Sequence, residues 1–85
     1  MRRILSSIEF VPELDSVDED GNPSIWIHDT GKGYIWICQD SDTKGFSVDT
    51  NIGYNHTVKR GLASLAFARR WVAMNYHWIL SEDEN

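Results

Sequence analysis

Three histidines and one cysteine in this 85-residue sequence are of the types that bind metal ions or act as nucleophiles: His28, Cys38, His56 and His77. Their spacings match no zinc-binding pattern. Cys38 would need a nearby base to act as a nucleophile, and the predicted strand pairing brings none within reach. We therefore predict no metal site, no cofactor and no enzymatic activity. Cys38 is expected to be a buried structural thiol.

Several acidic or glycine-containing segments begin like functional motifs without completing them. Asp29-Thr30-Gly31 is the triplet of aspartic proteases, but Lys32-Gly33 follows it where an apolar segment would be needed. Asp40-Ser41-Asp42 starts like a calcium loop, yet Lys44 and Asn51 occupy positions where the loop needs oxygen ligands. Gly31-Lys32-Gly33 lacks the other residues of a phosphate loop. Each segment instead favours a polar turn.

The composition predicts one globular domain, residues 1–85, in a reducing compartment. The apolar fraction is 41%, and four Trp, three Tyr and three Phe can form most of a small core. Cys38 is the one cysteine of the chain, so an intrachain disulfide is impossible. The first seven residues do not resemble a signal peptide, and no apolar run reaches the roughly 20 residues of a membrane span. We expect a cytoplasmic protein without membrane contact.

The strongest structural signal is a β-hairpin. Two runs rich in β-branched and aromatic residues, 25–28 and 34–37, flank the glycine-containing segment 29–33. We predict that Ile27 pairs with Ile35. This register places Ile25, Ile27, Ile35 and Ile37 on one face of the sheet. The opposite face would then carry Trp26, Tyr34, Trp36 and Cys38.

The remaining pattern predicts an α+β fold, in which a small antiparallel sheet of three to four strands precedes one long C-terminal helix packed on one face. Residues 1–22 are an acidic segment, in which we predict a strand over residues 4–11 followed by a loop. Residues 23–50 hold the hairpin and a third strand that begins at Phe46. Helical spacing of apolar residues indicates a helix over 57–80, with Thr57 as its N-cap, followed by an acidic tail, 81–85.

The predicted helix is apolar on two sides, and so is the predicted sheet. One set of helix residues forms the stripe expected to face the sheet, and Phe67, Trp71, Met74 and Trp78 lie largely on the other side. Because one helix covers one sheet face, the aromatic face needs another cover. We predict a protein partner or a second copy of the chain, a homodimer, on that face. The alternative is that residues 1–16 cover it.

These features favour a small acidic protein-binding module. The aromatic anchors would be Trp26, Tyr34 and Trp36, and the electrostatic rim would be Asp18, Glu19 and Asp20. Acidic patches suit a partner with a basic surface, such as a nucleic-acid-processing or host-defence protein. Small acidic chains of this kind are typical of inhibitors that viruses, phages or mobile elements encode, so we expect an inhibitor.

The charge distribution supports an alternative. Residues 58–80 contain no acidic residue and four basic ones, Lys59, Arg60, Arg69 and Arg70. These four could contact phosphates while aromatic side chains of the sheet stack on bases. A three-stranded sheet followed by a helix resembles, in element order, the arm-binding domains of tyrosine recombinases. However, the net charge of −5 would repel a polyanion at long range. Nucleic acid is therefore the second choice, and the acidic ends could instead neutralise the basic helix.

Overall fold

The computed structural model describes residues 8–40 and 44–81. An α+β fold with an antiparallel sheet is confirmed, but the sheet has five strands and the helical part is shorter and divided. The strands are β1 (Val11–Pro12), β2 (Ile25–Asp29), β3 (Tyr34–Gln39), β4 (Phe46–Thr50) and β5 (His56–Leu62). The helices are α1 (Leu65–Met74) and α2 (Tyr76–Leu80).

Each strand pairs antiparallel with its neighbour along the chain, in the order β1-β2-β3-β4-β5. The β2–β3 hairpin is confirmed, and its turn is held by local polar bonds. The Thr30 amide donates to the Gly33 carbonyl at 2.9 Å, and the Gly31 amide donates to the Asp29 carboxylate at 2.8 Å. Gly31 has φ +87°, a left-handed conformation that favours glycine. Thr30 and Gly31 thus lie in a turn, as the sequence indicates, while Asp29 is the last residue of β2.

The predicted register of this hairpin is wrong by one residue. Ile27 pairs with Trp36, and Trp26 pairs with Ile37. Since directly paired residues project from the same face, Trp26 lies with Ile35 and Ile37, while Ile27 lies with Trp36. The cause is that residues 25–27 and 34–37 are all large and apolar or aromatic, so hydrophobicity does not distinguish the two registers. Loop length decides, because the structure leaves four residues, 30–33, between the paired ends Asp29 and Tyr34.

The N-terminal prediction can be assessed only in part. Most of the predicted strand 4–11 lies outside the described residues, and in the described part β1 contains Val11 and Pro12 alone. Ile8 is buried in the core, and Phe10 packs against it. Pro12 ends β1, which fits the restriction of proline to strand edges.

The helix predicted to begin at Thr57 is wrong, because residues 56–62 form β5. In the pairing of β5 with β4, Leu62 lies opposite Phe46 and Lys59 lies opposite Val48. Between these two pairs β5 has one residue more than β4, which is a β-bulge. Gly61 has φ +74°, which a helix cannot accommodate. The N-cap is Ser64, whose hydroxyl accepts a bond from the Phe67 amide at 3.1 Å.

The helices pack on the sheet face formed by Ile35, Ile37 and Val48, all fully buried. From α1 and α2, the buried residues are Ala68, Val72 and Ile79. Asn75 separates the helices, and its side-chain amide donates to the Trp71 carbonyl at 2.8 Å. In the part of the chain that the structure describes, no helix is long and apolar enough to cross a membrane.

Candidate functional site

The sheet face turned away from the helices is the candidate site, and we call it the outer face. Alternation along the strands and the pairing registers place on it Ile25, Ile27, Tyr34, Trp36, Cys38, Ser47, Asp49 and Thr57. Val11 of β1 extends it, since Val11 pairs with Ile27, and it is 51% exposed. The outer face therefore joins a strip of apolar side chains on β1–β3 to a polar patch on β4 and β5.

The described N-terminal segment does not cover this face. Ile8 and Phe10 belong to the core on the helix side, and the Phe10 ring lies 5.6 Å from that of His28, which also faces the helices. His28 is fixed there, since one ring nitrogen lies 2.9 Å from the Glu9 carbonyl and the other 2.9 Å from the Tyr76 hydroxyl. For residues 8–16, the alternative that the N-terminal segment covers the outer face is therefore wrong. Residues 1–7 lie outside the described chain.

Two of the three predicted aromatic anchors lie together on the outer face. The rings of Tyr34 and Trp36 are 5.8 Å apart, Tyr34 is 43% exposed and Trp36 is half-buried. Trp26 is on the opposite face, where its ring lies 6.0 Å from that of Phe46 and packs against the core. The prediction that Trp26 shares a face with Tyr34 and Trp36 is wrong, because it follows from the wrong register. Ile25 and Ile27 take its place.

Asp49 is the charged residue at the centre of the polar patch. Its Oδ1 accepts a hydrogen bond from the Thr57 hydroxyl at 2.8 Å, and its Oδ2 lies 3.8 Å from the Cys38 Sγ, which donates to it. Within residues 8–40 and 44–81, no lysine or arginine forms an ion pair with it. Both carboxylate oxygens thus have a neutral donor, and the negative charge remains available to a cation from outside.

The surroundings of Cys38 oppose nucleophilic chemistry. Burial, and to a smaller extent the charge and the hydrogen bond of Asp49, raise the pKa of the Cys38 thiol to about 11. Reactive cysteines need a lowered pKa, because the thiolate is the nucleophile. Cys38 is therefore a neutral thiol near pH 7 and serves as a hydrogen-bond donor.

We expect Cys38 in the folded protein to react about a hundredfold more slowly with a thiol reagent at pH 8 than in the unfolded chain, because its pKa lies about two units above the value of 9.0 for a free thiol. Asp49→Asn should accelerate the reaction, although not fully, since burial is the larger cause. The rate of colour release from a disulfide reagent, followed from pH 7 to 10, measures both effects. Equal rates in the folded and unfolded chains would contradict this description of the site.

A shallow cavity of about 370 Å³ opens beside Asp49. Trp36, Asp49, Thr50 and Thr57 line it, together with Asn55 of the loop after β4 and His56 at the start of β5. The His56 ring stacks on that of Tyr54, with centroids 4.4 Å apart, and Tyr54 is 66% exposed. An indole beside a carboxylate is an arrangement that binds ammonium and guanidinium groups.

The predicted acidic rim lies in the loop between β1 and β2. Glu19 and Asp20 are exposed, while the Asp18 carboxylate accepts the amides of Asp20 and Asn22, each at 2.9 Å. The loop leads to Ser24, whose carbonyl accepts the Gln39 amide at 2.8 Å. The rim is therefore joined to the Ile25 end of the outer face, and Asp18 stabilises the loop itself.

The four basic residues of the alternative interface do not share one helix. Lys59 and Arg60 are in β5, and Arg69 and Arg70 are in α1. All four are exposed, and Arg60 forms an ion pair with Asp40 at 3.5 Å. The expected continuous basic helix is thus replaced by two separate pairs.

In the described ranges, no cluster of three or more His, Cys, Asp or Glu side chains could hold a metal ion. His28 is held between Glu9 and Tyr76 on the helix side of the sheet, the face opposite to that of Cys38, and His77 is exposed on α2. The residue that sequence reasoning missed is Asp49. Its signal was a lone acid between Val48 and Thr50 in a strand, where alternation places it on the face opposite the core.

The element order of the structure also removes the resemblance to the arm-binding domains of tyrosine recombinases, which rested on three strands and one helix. No protein-family model, curated protein or solved structure matches the chain.

Proposed function

We propose that this chain is a non-enzymatic protein-binding module that docks a partner on its outer face. One observation carries the proposal: in the described chain, Ile25, Ile27, Tyr34 and Trp36 form an apolar strip without a covering element, next to the carboxylate of Asp49. Aromatic anchors surrounded by polar groups are the usual composition of the energetic centre of a protein interface.

The partner is expected to present a basic surface. Asp49 beside Trp36 accepts a lysine or arginine side chain, with the cation held by the carboxylate and the indole face. Glu19 and Asp20 at the other end of the outer face add negative charge to the rim, where it accelerates association with a basic surface. The net charge of −5 acts in the same direction.

A basic surface that binds this chain can no longer bind nucleic acid. The proposal therefore includes an inhibitory role against a nucleic-acid-processing or host-defence protein of the kind that viruses and mobile elements target. The support for this step is charge complementarity between the acidic chain and such a surface.

The test begins with capture of proteins on the immobilised chain and continues with each captured protein in purified form. We expect Trp36→Ala to weaken the affinity of a true partner at least about thirtyfold, because removing a hot-spot tryptophan typically costs 2 kcal/mol or more. Asp49→Asn should weaken it less and reduce its dependence on salt. Isothermal titration calorimetry measures each affinity.

The matched control is Trp78→Ala, the same substitution on the opposite side of the molecule, where Trp78 is 52% exposed. Thermal unfolding of each variant establishes that it is folded. If Trp36→Ala binds as tightly as the wild type, the outer face is not the docking surface. If the wild type instead binds labelled DNA or RNA, and the binding weakens steeply with added salt, the nucleic-acid alternative replaces the proposal.

A further inference from the structure

The carboxylate of Asp49 belongs to a row of side chains that crosses the outer face from one edge of the sheet to the other. Each member of the row pairs directly with the next, in the order Val11, Ile27, Trp36, Asp49 and Thr57. Directly paired residues on one face have Cβ atoms about 4.5–5.5 Å apart, so Trp36 and Asp49 are neighbours by backbone geometry. The row therefore runs from apolar side chains on β1 and β2, through an indole, to a carboxylate on β4.

The hydrogen bonds of Asp49 leave a defined part of its carboxylate open. An ionised carboxylate has two oxygens with about two acceptor sites each. In the described chain, Oδ1 accepts one bond from the Thr57 hydroxyl, and Oδ2 accepts one from the Cys38 thiol. One acceptor site thus remains on each oxygen. The half-buried carboxylate lines the shallow cavity of the outer face, which gives a ligand access to it.

We propose that this cavity binds an arginine side chain of the partner and selects arginine over lysine, an inference that rests on the proposed function. Two parallel N–H groups of a guanidinium match the two remaining acceptor sites of Asp49, whereas the ammonium of lysine acts as a point charge. Trp36 lines the same cavity, and guanidinium groups stack on indole rings. A guanidinium is also more weakly hydrated than an ammonium, so entering a half-enclosed site costs it less.

The occupant is an arginine within a protein chain rather than a free guanidinium compound. From Asp49 the row leads to Trp36 on the next strand and to Ile27 on the strand after it, at about 4.8 Å per strand. An arginine whose guanidinium lies on Asp49 can place its apolar stem along Trp36. A residue next to that arginine then covers Ile27. A free guanidinium compound would leave this apolar strip exposed to water.

Nuclear magnetic resonance titration of the full chain with short peptides tests the selectivity. The probes are acetyl-Gly-Arg-Gly-amide and acetyl-Gly-Lys-Gly-amide, at constant ionic strength. The readout is the indole N–H signal of Trp36, which is assigned by its loss in Trp36→Ala. The arginine peptide should give a saturable shift with a Kd on the order of millimolar. The lysine peptide should bind about tenfold more weakly, because it forms one charge-assisted hydrogen bond fewer.

Asp49→Asn is the variant that tests the carboxylate, since it removes the charge and keeps the shape. It should weaken binding of the arginine peptide at least about tenfold. The matched control is Asp15→Asn, the same substitution at an exposed residue after β1, at the opposite edge of the sheet from β5. It changes the net charge equally and should bind like the wild type. The comparison of the two peptides uses the wild-type chain alone, so it decides the proposal even if Asp49→Asn does not fold.

A third peptide, acetyl-Leu-Arg-Leu-amide, tests whether the site reads an arginine within a chain. Its leucines extend over the apolar strip beside Trp36, so it should bind at least about fivefold more tightly than the glycine-flanked peptide. Equal affinity of these two peptides would mean that the cavity holds an isolated guanidinium group, and would overturn the assignment to a protein arginine.

The proposal is also overturned if the arginine and lysine peptides bind equally, or if Asp49→Asn binds the arginine peptide as tightly as the wild type. These results leave the proposed function untouched as long as a captured partner depends on Trp36. Conversely, a partner that does not depend on Trp36 removes the proposed function and with it the partner's arginine. Because the peptides are titrated without any partner, the two failures are distinguishable.

Discussion

Ile37→Ala is expected to lower the free energy of unfolding by about 3 kcal/mol, because it leaves a cavity in the centre of the core. Ile37 is fully buried on β3 between the sheet and the helices. The same change at Ile27 should cost less than about 1.5 kcal/mol, because Ile27 is half-buried on the outer face, where solvent and neighbouring side chains fill the space. Two identical substitutions should thus differ at least twofold in effect.

Urea unfolding of the two variants and the wild type, followed by tryptophan fluorescence, measures the difference. The slope of free energy against urea should stay constant, so that the midpoints report stability directly. Equal losses in the two variants would support the register in which Ile27 and Ile37 share a face, and would contradict the pairing of Ile27 with Trp36.

Ala68→Asp is expected to prevent folding, whereas Ala66→Asp should be tolerated. Ala68 is fully buried where α1 meets the sheet, among the apolar side chains of the core. Burying an unpaired charge costs several kcal/mol, and a domain of 85 residues has a total stability of roughly 4–13 kcal/mol. Ala66 is exposed near the start of the helix, where an acidic residue stabilises by about 0.3–1 kcal/mol.

Far-ultraviolet circular dichroism and thermal unfolding separate the two outcomes. Ala68→Asp should lack a cooperative transition at 25 °C and neutral pH, while Ala66→Asp should unfold at or slightly above the wild-type temperature. A cooperative transition of similar midpoint in both variants would mean that α1 presents another side to the sheet.

The sequence determines which segments form the β2–β3 hairpin, because their β-branched and aromatic composition and the glycine-containing turn agree. It does not determine the register. Trp26 and Ile27 are both large and apolar, so exchanging their faces costs little hydrophobic burial, and the geometry of the turn decides. The composition of the outer face depends on this register, and the register predicted from the sequence places Trp26 with Tyr34 and Trp36, on the wrong face.

The boundary between β5 and α1 shows a second limit. Val58 and Leu62 are four residues apart, which suits one side of a helix, yet both also point to the core side from an irregular strand. Two residues determine where the helix begins. Gly61 adopts a left-handed conformation that does not fit a helix, and Ser64 is the N-cap of α1. Within 65–80, by contrast, helical spacing correctly separated Val72 and Ile79 from the exposed residues Phe67, Met74 and Trp78.

The order of the strands has a consequence for folding kinetics. Every strand of the sheet pairs with the next one along the chain, so the sheet can grow one hairpin at a time without waiting for a distant segment. The contacts that close longer loops join the sheet to the flanking segments, as the packing of α1 on the sheet and the bond between His28 and Tyr76 do. Because the strand pairings themselves are local, the folding rate is expected to resemble that of mixed α/β domains rather than of β-sandwiches. Because each strand finds its neighbour quickly, unpaired strand edges are exposed only briefly during folding, which lowers the tendency of the chain to aggregate.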